Sequence, residues 1–289
     1  MRPGHHHPRG REGRGLGARG FRDQPRRGVR RADHGRRRAG GLLRSAWVVL
    51  KRELASFFVS PLAYVVLTSW LVWNGVWFWM LTEFYARNAV SSGASTPLSG
   101  FFGGSALFFI PLLVFVPVLT MRLVAGEKQA GTIETLMTAP VSETSVILGK
   151  YAASMVIWCV LWVPTLIYAW IMSQHGSVDW GAVTASYFGI FCLGTYFMAV
   201  GLLMSVLAPT QIVAAVLAFV TLGVLFTVGI GEFVLDGAAR EVCAYVSMLG
   251  HMQSFAKGVI DTRYLVFDLS LAILAVGLSI GAMKARRHG

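Results

Sequence analysis

A few groupings of residues in this chain have the types and spacing to do chemistry. Gly277-Leu278-Ser279-Ile280-Gly281 matches G-x-S-x-G, which in hydrolases presents a nucleophilic serine on a tight strand-to-helix turn. Here the motif lies inside a continuous apolar stretch, so close helix packing through the small residues Gly277 and Gly281 is the expected role. Met248, His251 and Met252 share one helical face, and a Met/His set can hold soft copper. Packing with a hydrogen-bonded imidazole is the simpler account of the same residues. Gly149-Lys150-Tyr151 lacks the earlier glycine and the following Ser/Thr of a phosphate loop, which excludes nucleotide hydrolysis by that route. Cys159, Cys192 and Cys243 have no CxxC spacing, and Cys159 and Cys192 read as small buried hydrophobes. No catalytic, cofactor-binding or metal residue is therefore expected.

The remaining grouping is a polar interlude, Gly126 to Lys150, between two hydrophobic stretches. Ala130, Ile133, Leu136, Met137 and Pro140 recur at spacings of three and four, which predicts one apolar helix face. Glu127 and Glu134, seven apart, fall on another face. Pro140 ends that helix, and Ser142 is placed to cap the next, with Glu143 in its first turn. An amphipathic helix held between two spans is positioned for a soluble partner to grip.

The elements around it are membrane-like. The chain has 289 residues, 55% of them hydrophobic, and a mean hydropathy of +0.58, more apolar than a charged soluble surface allows. Residues 1–41 hold 13 of the 26 Lys+Arg and 3 of the 14 Asp+Glu, hence +10 of the formal +12. The other 248 residues carry 13 basic and 11 acidic groups, a net of +2, which removes a nucleic-acid partner from the main body. The Arg/Gly/Pro-rich tail cannot bury a core and should be disordered. Such a composition is what GC-rich non-coding sequence yields, so a misplaced start is one reading. Contact of its Arg clusters with anionic lipid or RNA is another, and a transit peptide is a third. His5-His6-His7 could bind a metal weakly, in the same tail.

From Leu43 to Phe58, Trp47, Leu50, Leu54 and Phe57/Phe58 form a stripe opposite Arg44, Lys51, Arg52 and Glu53, which predicts an interfacial helix with its basic side toward headgroups. Six apolar stretches follow, near 62–82, 103–121, 146–172, 183–207, 211–231 and 264–283, each able to cross about 30 Å of hydrocarbon. Pro111, Pro117 and Pro164 should kink them, and Asn74 and Gln211 should make interhelical hydrogen bonds. One set of loops carries Arg44, Lys51, Arg52, Arg122, Lys128, Lys150, Lys284, Arg286 and Arg287. The other carries Arg87, Arg240, Lys257 and Arg263. The positive-inside rule then puts both termini and the 122–150 loop in the cytoplasm. Residues 232–263 are too apolar for a free loop and should form short helices dipping into the outer leaflet. Glu83, Asp179, Glu232 and Asp268 fall at or beyond span ends, so the spans lack the carboxylates that an ion-coupled carrier or proton relay needs.

With these elements placed, the chain resembles the ABC-2 permease family. Glu127-Lys128-Gln129-Ala130-Gly131-Thr132-Ile133-Glu134-Thr135-Leu136, Pro140-Val141 and Gly149-Lys150 carry the likeness, over roughly 42–289. A second block, His251 to Asp261, is similar to the gliding-motility and nitrous-oxide-reductase-associated branch. The resemblance implies an all-α polytopic protein: an interfacial helix, six spans, a cytoplasmic coupling helix between spans two and three, and a re-entrant segment before span six. It implies a permease without catalysis or cofactor, in the cytoplasmic membrane of a prokaryote. Its partners would be membrane lipid, a second permease subunit (identical or not) and two copies of a separate ABC ATPase. Glu127, Lys128, Gly131, Thr132, Ile133, Glu134, Leu136, Met137 and Pro140 would form the ATPase-coupling element, with Glu127 and Glu134 meeting basic residues of the ATPase. An intramembrane enzyme using Ser279 or His251, or an ion-coupled carrier, is the alternative class.

Overall fold

A computed structural model describes residues 24–88, 97–103, 105–131, 142–175 and 178–288, with side chains considered from Leu42 onward. The tail's His5-His6-His7 lies outside these residues. The first helix, α1, is Gln24–Val59, so helix begins within the Arg-rich segment that composition assigns to disorder. Arginine and alanine are good helix formers, and this stretch is continuous with an apolar helical run. The chain divides after Gly41 into two units, and the second, Leu42–Gly289, holds the helical bundle.

The described residues are helical throughout, with no strand among them. After α1 come α2 (Pro61–Arg87), α3 (Pro97–Gly103), α4 (Phe109–Thr120) and α5 (Ala125–Gln129). Next are α6 (Glu143–Trp162), α7 (Leu166–His175), α8 (Trp180–Leu207) and α9 (Gln211–Ile230). The last three are α10 (Ala238–Val246), α11 (Met248–Ala256) and α12 (Thr262–His288). Polar side chains set several starts, each satisfying backbone N–H groups that no helical carbonyl reaches. Ser142 accepts from Ser145 N (3.3 Å), Asp179 from Gly181 N (2.8 Å) and Thr210 from Val213 N (3.4 Å).

Among the described residues, five helices are long and apolar enough to cross a membrane: α2, α6–α7 together, α8, α9 and α12. The stretch near 103–121, expected as a full span, is shorter, because α3 stops at Gly103 and α4 has 12 residues, about 18 Å of rise. α8 is the axis of the bundle. Of its most apolar eighteen residues 72% are buried, against 22–33% in the other four candidates. The outer helices therefore turn large apolar side chains outward, among them Val65, Trp79, Val216 and Ile273. An outward apolar surface of this kind suits contact with lipid. Close approach to α8 depends on Gly194, where a Cβ would sit 2.2 Å from Trp158 Nε1. That indole donates to Ile190 O at 3.1 Å across the α6–α8 contact.

Pro164 falls in a 3-10 turn, Val163–Thr165, that separates α6 from α7 as its missing N–H demands. Asn74 differs from expectation: its amide donates to Trp70 O (2.8 Å) in its own helix, and Trp70 instead bridges α2 to Leu161 O (3.1 Å). Gly277 and Gly281 face open space in this chain, so they do not serve the close packing predicted for them. Cys159 and Cys192 are half-buried rather than buried, since each sits on the flank of its helix.

The segment after α9 forms the short helices α10 and α11 that its apolar content predicts. α11 is deeply packed, with Met248, Met252 and Phe255 buried. Here the charge-free spans need correction. Asp268, expected at a span end, lies one turn further into α12 and is 2% exposed. Its Oδ1 is 3.5 Å from Nδ1 of His251, itself 2% exposed. The imidazole stacks on Tyr264 (4.1 Å) and its Nε2 is 3.3 Å from Tyr245 O, so three helices meet on one ring. Asp268→Leu would leave that imidazole buried without its acid. We expect a loss of about 3 kcal/mol in detergent-solubilised unfolding. Combining it with His251→Leu should recover most of the loss, measured as a double-mutant cycle.

Candidate functional site

Charge in a low-dielectric interior must be paired, and the chain concentrates its paired charge at one end of the bundle. Lys150 lies in the second turn of α6, 1% exposed. It gets there because Gly149 lets α6 lie directly on α1: a Cβ would sit 2.7 Å from Ala46 O and 2.8 Å from Val49 Cβ. Its ammonium then meets Glu53 Oε1 of α1 at 2.7 Å and Glu127 Oε2 of α5 at 3.1 Å. Arg52 closes the cluster, with Nη2 at 2.6 Å from Glu127 Oε1 and 4.0 Å from Glu53 Oε1. Two cations and two carboxylates thus join α1, the interlude and the following span.

The same interlude is tied to α8 and α9. Ser205 Oγ of α8 accepts from Val124 N and Ala125 N, both at 3.0 Å, and donates to Met121 O at 3.1 Å. Those three bonds use the full capacity of a hydroxyl and satisfy the start of α5. Lys128 Nζ donates to Ala208 O (2.9 Å) and to Val206 O, placing a cation on the terminal carbonyls of α8. Gln129 Oε1 accepts from Gln211 N, at the start of α9, at 3.5 Å. Residues 124–129 are therefore tied to four other helices, α1, α6, α8 and α9.

Gly131 follows at φ +69°, a left-handed position that ends α5. The uninterrupted helix expected over this stretch is therefore broken at Gly131, and Ala130 of its apolar face is exposed. Thr132, Ile133, Glu134, Leu136, Met137 and Pro140 lie outside the described residues. Of the nine residues assigned to partner coupling, the structure brings Glu127 and Lys128 into one junction, with Gly131 at its edge. Glu127 meets its bases, Arg52 and Lys150, within this chain and is only 13% exposed.

Sequence reading missed the cluster in part. Arg52 was assigned to lipid headgroups, yet its guanidinium turns to Glu127. On α1 the helix face against the bundle runs through Leu50, Leu54 and Phe57, while Trp47 is outward under Lys51 (5.2 Å). Two signals pointed to it: Glu53 as the one acid among the bases of this segment, and Lys150 eight residues into an apolar helix.

Ser279 is buried and donates to Ala275 O of its own helix (2.8 Å). His251 belongs to the Asp268 pair, and among the described residues no three His, Cys, Asp or Glu side chains gather to hold a metal. Lys150→Met should cost about 3–5 kcal/mol by leaving two carboxylates facing each other. Adding Glu53→Gln and Glu127→Gln should restore much of it, read from thermal unfolding of the three proteins.

Comparison with known proteins supplies the remaining context. The sequence profile of the family described as ABC-2 family transporter protein matches residues 39–248. No curated protein matches the chain.

Proposed function

Because the chain belongs to the ABC-2 transporter family, we propose that it is the permease subunit of an exporter whose ATP hydrolysis occurs in a separate ATPase. The observation that carries this reading is the junction at 124–129. It joins one short polar segment to α1, α6, α8 and α9 through buried ion pairs and backbone hydrogen bonds. A partner that shifts this segment loads four other helices at once. Driving a bundle between two states takes only a difference in the partner's affinity for them, and a stiff handle delivers that difference without local yielding.

On this reading 127–139 is the coupling element, with two roles divided along it. Glu127 and Lys128 anchor it inward. Ile133, Glu134, Leu136 and Met137 reach the ATPase. α4, preceded by the 3-10 turn Ala106–Phe108, completes six crossings, and α10–α11 form the segment that re-enters from the far side. The charge bias of the loops supports placing the junction and both termini in the cytoplasm of a prokaryote. The functional unit would be two permease chains, identical or not, with two ATPase subunits.

One observation favours a second reading as an ion-coupled carrier: the buried His251–Asp268 pair, the ionisable intramembrane element such carriers require. The two separate cleanly. With reconstituted protein and its ATPase, the permease reading expects transport that stops with a hydrolysis-dead ATPase and survives collapse of the ion gradients. A carrier gives the opposite pattern.

The coupling assignment has its own test. Glu134→Arg with Leu136→Asp should abolish co-purification of the ATPase while the permease still inserts and unfolds at the wild-type temperature. Retained binding and transport in that variant sinks the assignment. Lys150→Met, by contrast, should keep ATPase binding but lower transport per ATP hydrolysed by about tenfold, since the handle stays while its anchor is lost.

A further inference from the structure

A cavity of about 330 Å³ opens beside the charged junction, between α1, α2, α4, α5 and α6. Its lining is of two kinds. Phe57, Leu62, Val66, Val118 and Ile157 supply apolar lining, and Arg52, Glu53, Glu127 and Arg122 supply charged lining. The two carboxylates do not oppose an anion, because Lys150 and Arg52 neutralise them at 2.6–3.1 Å. Arg122 is the surplus. It is exposed, its Nη1 donates to Ser60 Oγ at 2.9 Å, and no carboxylate lies within 4.0 Å of it among the described residues. The site thus combines one uncompensated cation with an apolar lining. Its volume falls in the range of small-molecule sites, roughly 300–1,000 Å³.

We propose that this cavity binds one amphiphile with a single anionic headgroup, a phosphodiester phospholipid of the surrounding leaflet. The phosphate sits on Arg122 and the upper part of one acyl chain lies between Phe57, Leu62 and Val118. A guanidinium recognises phosphate through charge-assisted, two-pronged hydrogen bonds that a zwitterion's compensating cation weakens. The proposal rests on the cytoplasmic orientation of the junction, which sets this end against the leaflet rich in anionic lipid. It adds a bound lipid that touches α1 and α5 together, so that headgroup charge bears on the same segment the ATPase moves.

Native mass spectrometry of the full-length chain, released from detergent, tests it. The probes are dioleoyl phosphatidylglycerol, dioleoyl phosphatidylcholine and glycerol phosphate, which carries the headgroup without the chain. One tightly held phosphatidylglycerol per chain is expected, with neither other probe retained. Arg122→Gln should cut retention at least tenfold, Arg122→Lys should keep most of it, and Val118→Trp should remove it by filling the cavity. Equal retention by wild type, Arg122→Gln and Val118→Trp would mean ring lipid only and overturns the proposal. Glycerol phosphate binding as tightly as the lipid overturns it in favour of a free-phosphate site. Arg122→Gln should still co-purify with the ATPase. The lipid site and the coupling assignment can therefore fail separately.

Discussion

The ammonium of Lys150, closed off from water and held by two carboxylates from two other parts of the chain, is the constraint on which the rest of this structure depends. A buried lysine facing one acid would still leave donors unsatisfied. Facing two, with Arg52 balancing the second, it becomes part of a neutral four-charge cluster whose geometry can be satisfied in one arrangement of α1, α5 and α6. Such clusters add little net stability compared with an apolar replacement, but they are unforgiving of misplacement. That property suits a joint: the elements are registered to one another rather than merely packed.

Around that joint the bundle uses small residues where helices must touch and polar side chains where helices end. Gly149 brings α6 onto α1, and Gly194 admits the Trp158 indole against α8. Ser205 and Lys128 serve the backbone ends of α5 and α8, which carry unsatisfied groups in any helical protein. The same polar segment thus gathers the termini of several spans at one end. At the opposite end His251 and Asp268 join α11 to α12. The bundle therefore carries ionic ties near both ends.

Much of the fold was legible from periodicity and hydropathy. Stretches of twenty or more apolar residues leave no choice but helix in a hydrocarbon layer, where every backbone group must be satisfied within its own segment. The Ser142 cap and the Pro164 break follow from local chemistry that does not need a neighbour. The stretch near 103–121 reads as one run because hydropathy counts apolar residues whether or not they continue one helix, and α4 covers only Phe109–Thr120 of it. Asp268 was misplaced for a related reason. A carboxylate near a span boundary reads as a boundary residue unless its partner is known, and His251 is 17 positions away.

The candidate site divides along the same line. The sequence by itself determined that a polar segment interrupts an otherwise apolar chain. Local propensity and the 3.6-residue period act over a few neighbours, so they are written in adjacent residues. Only the tertiary structure decided that Glu127 turns inward to Arg52 and Lys150 and that Lys128 closes the end of α8. Those partners are 75, 23 and 80 positions away. Which charges meet across such distances is set by how closely helices approach, and that depends on side-chain volumes at contacts such as Gly149 on Val49.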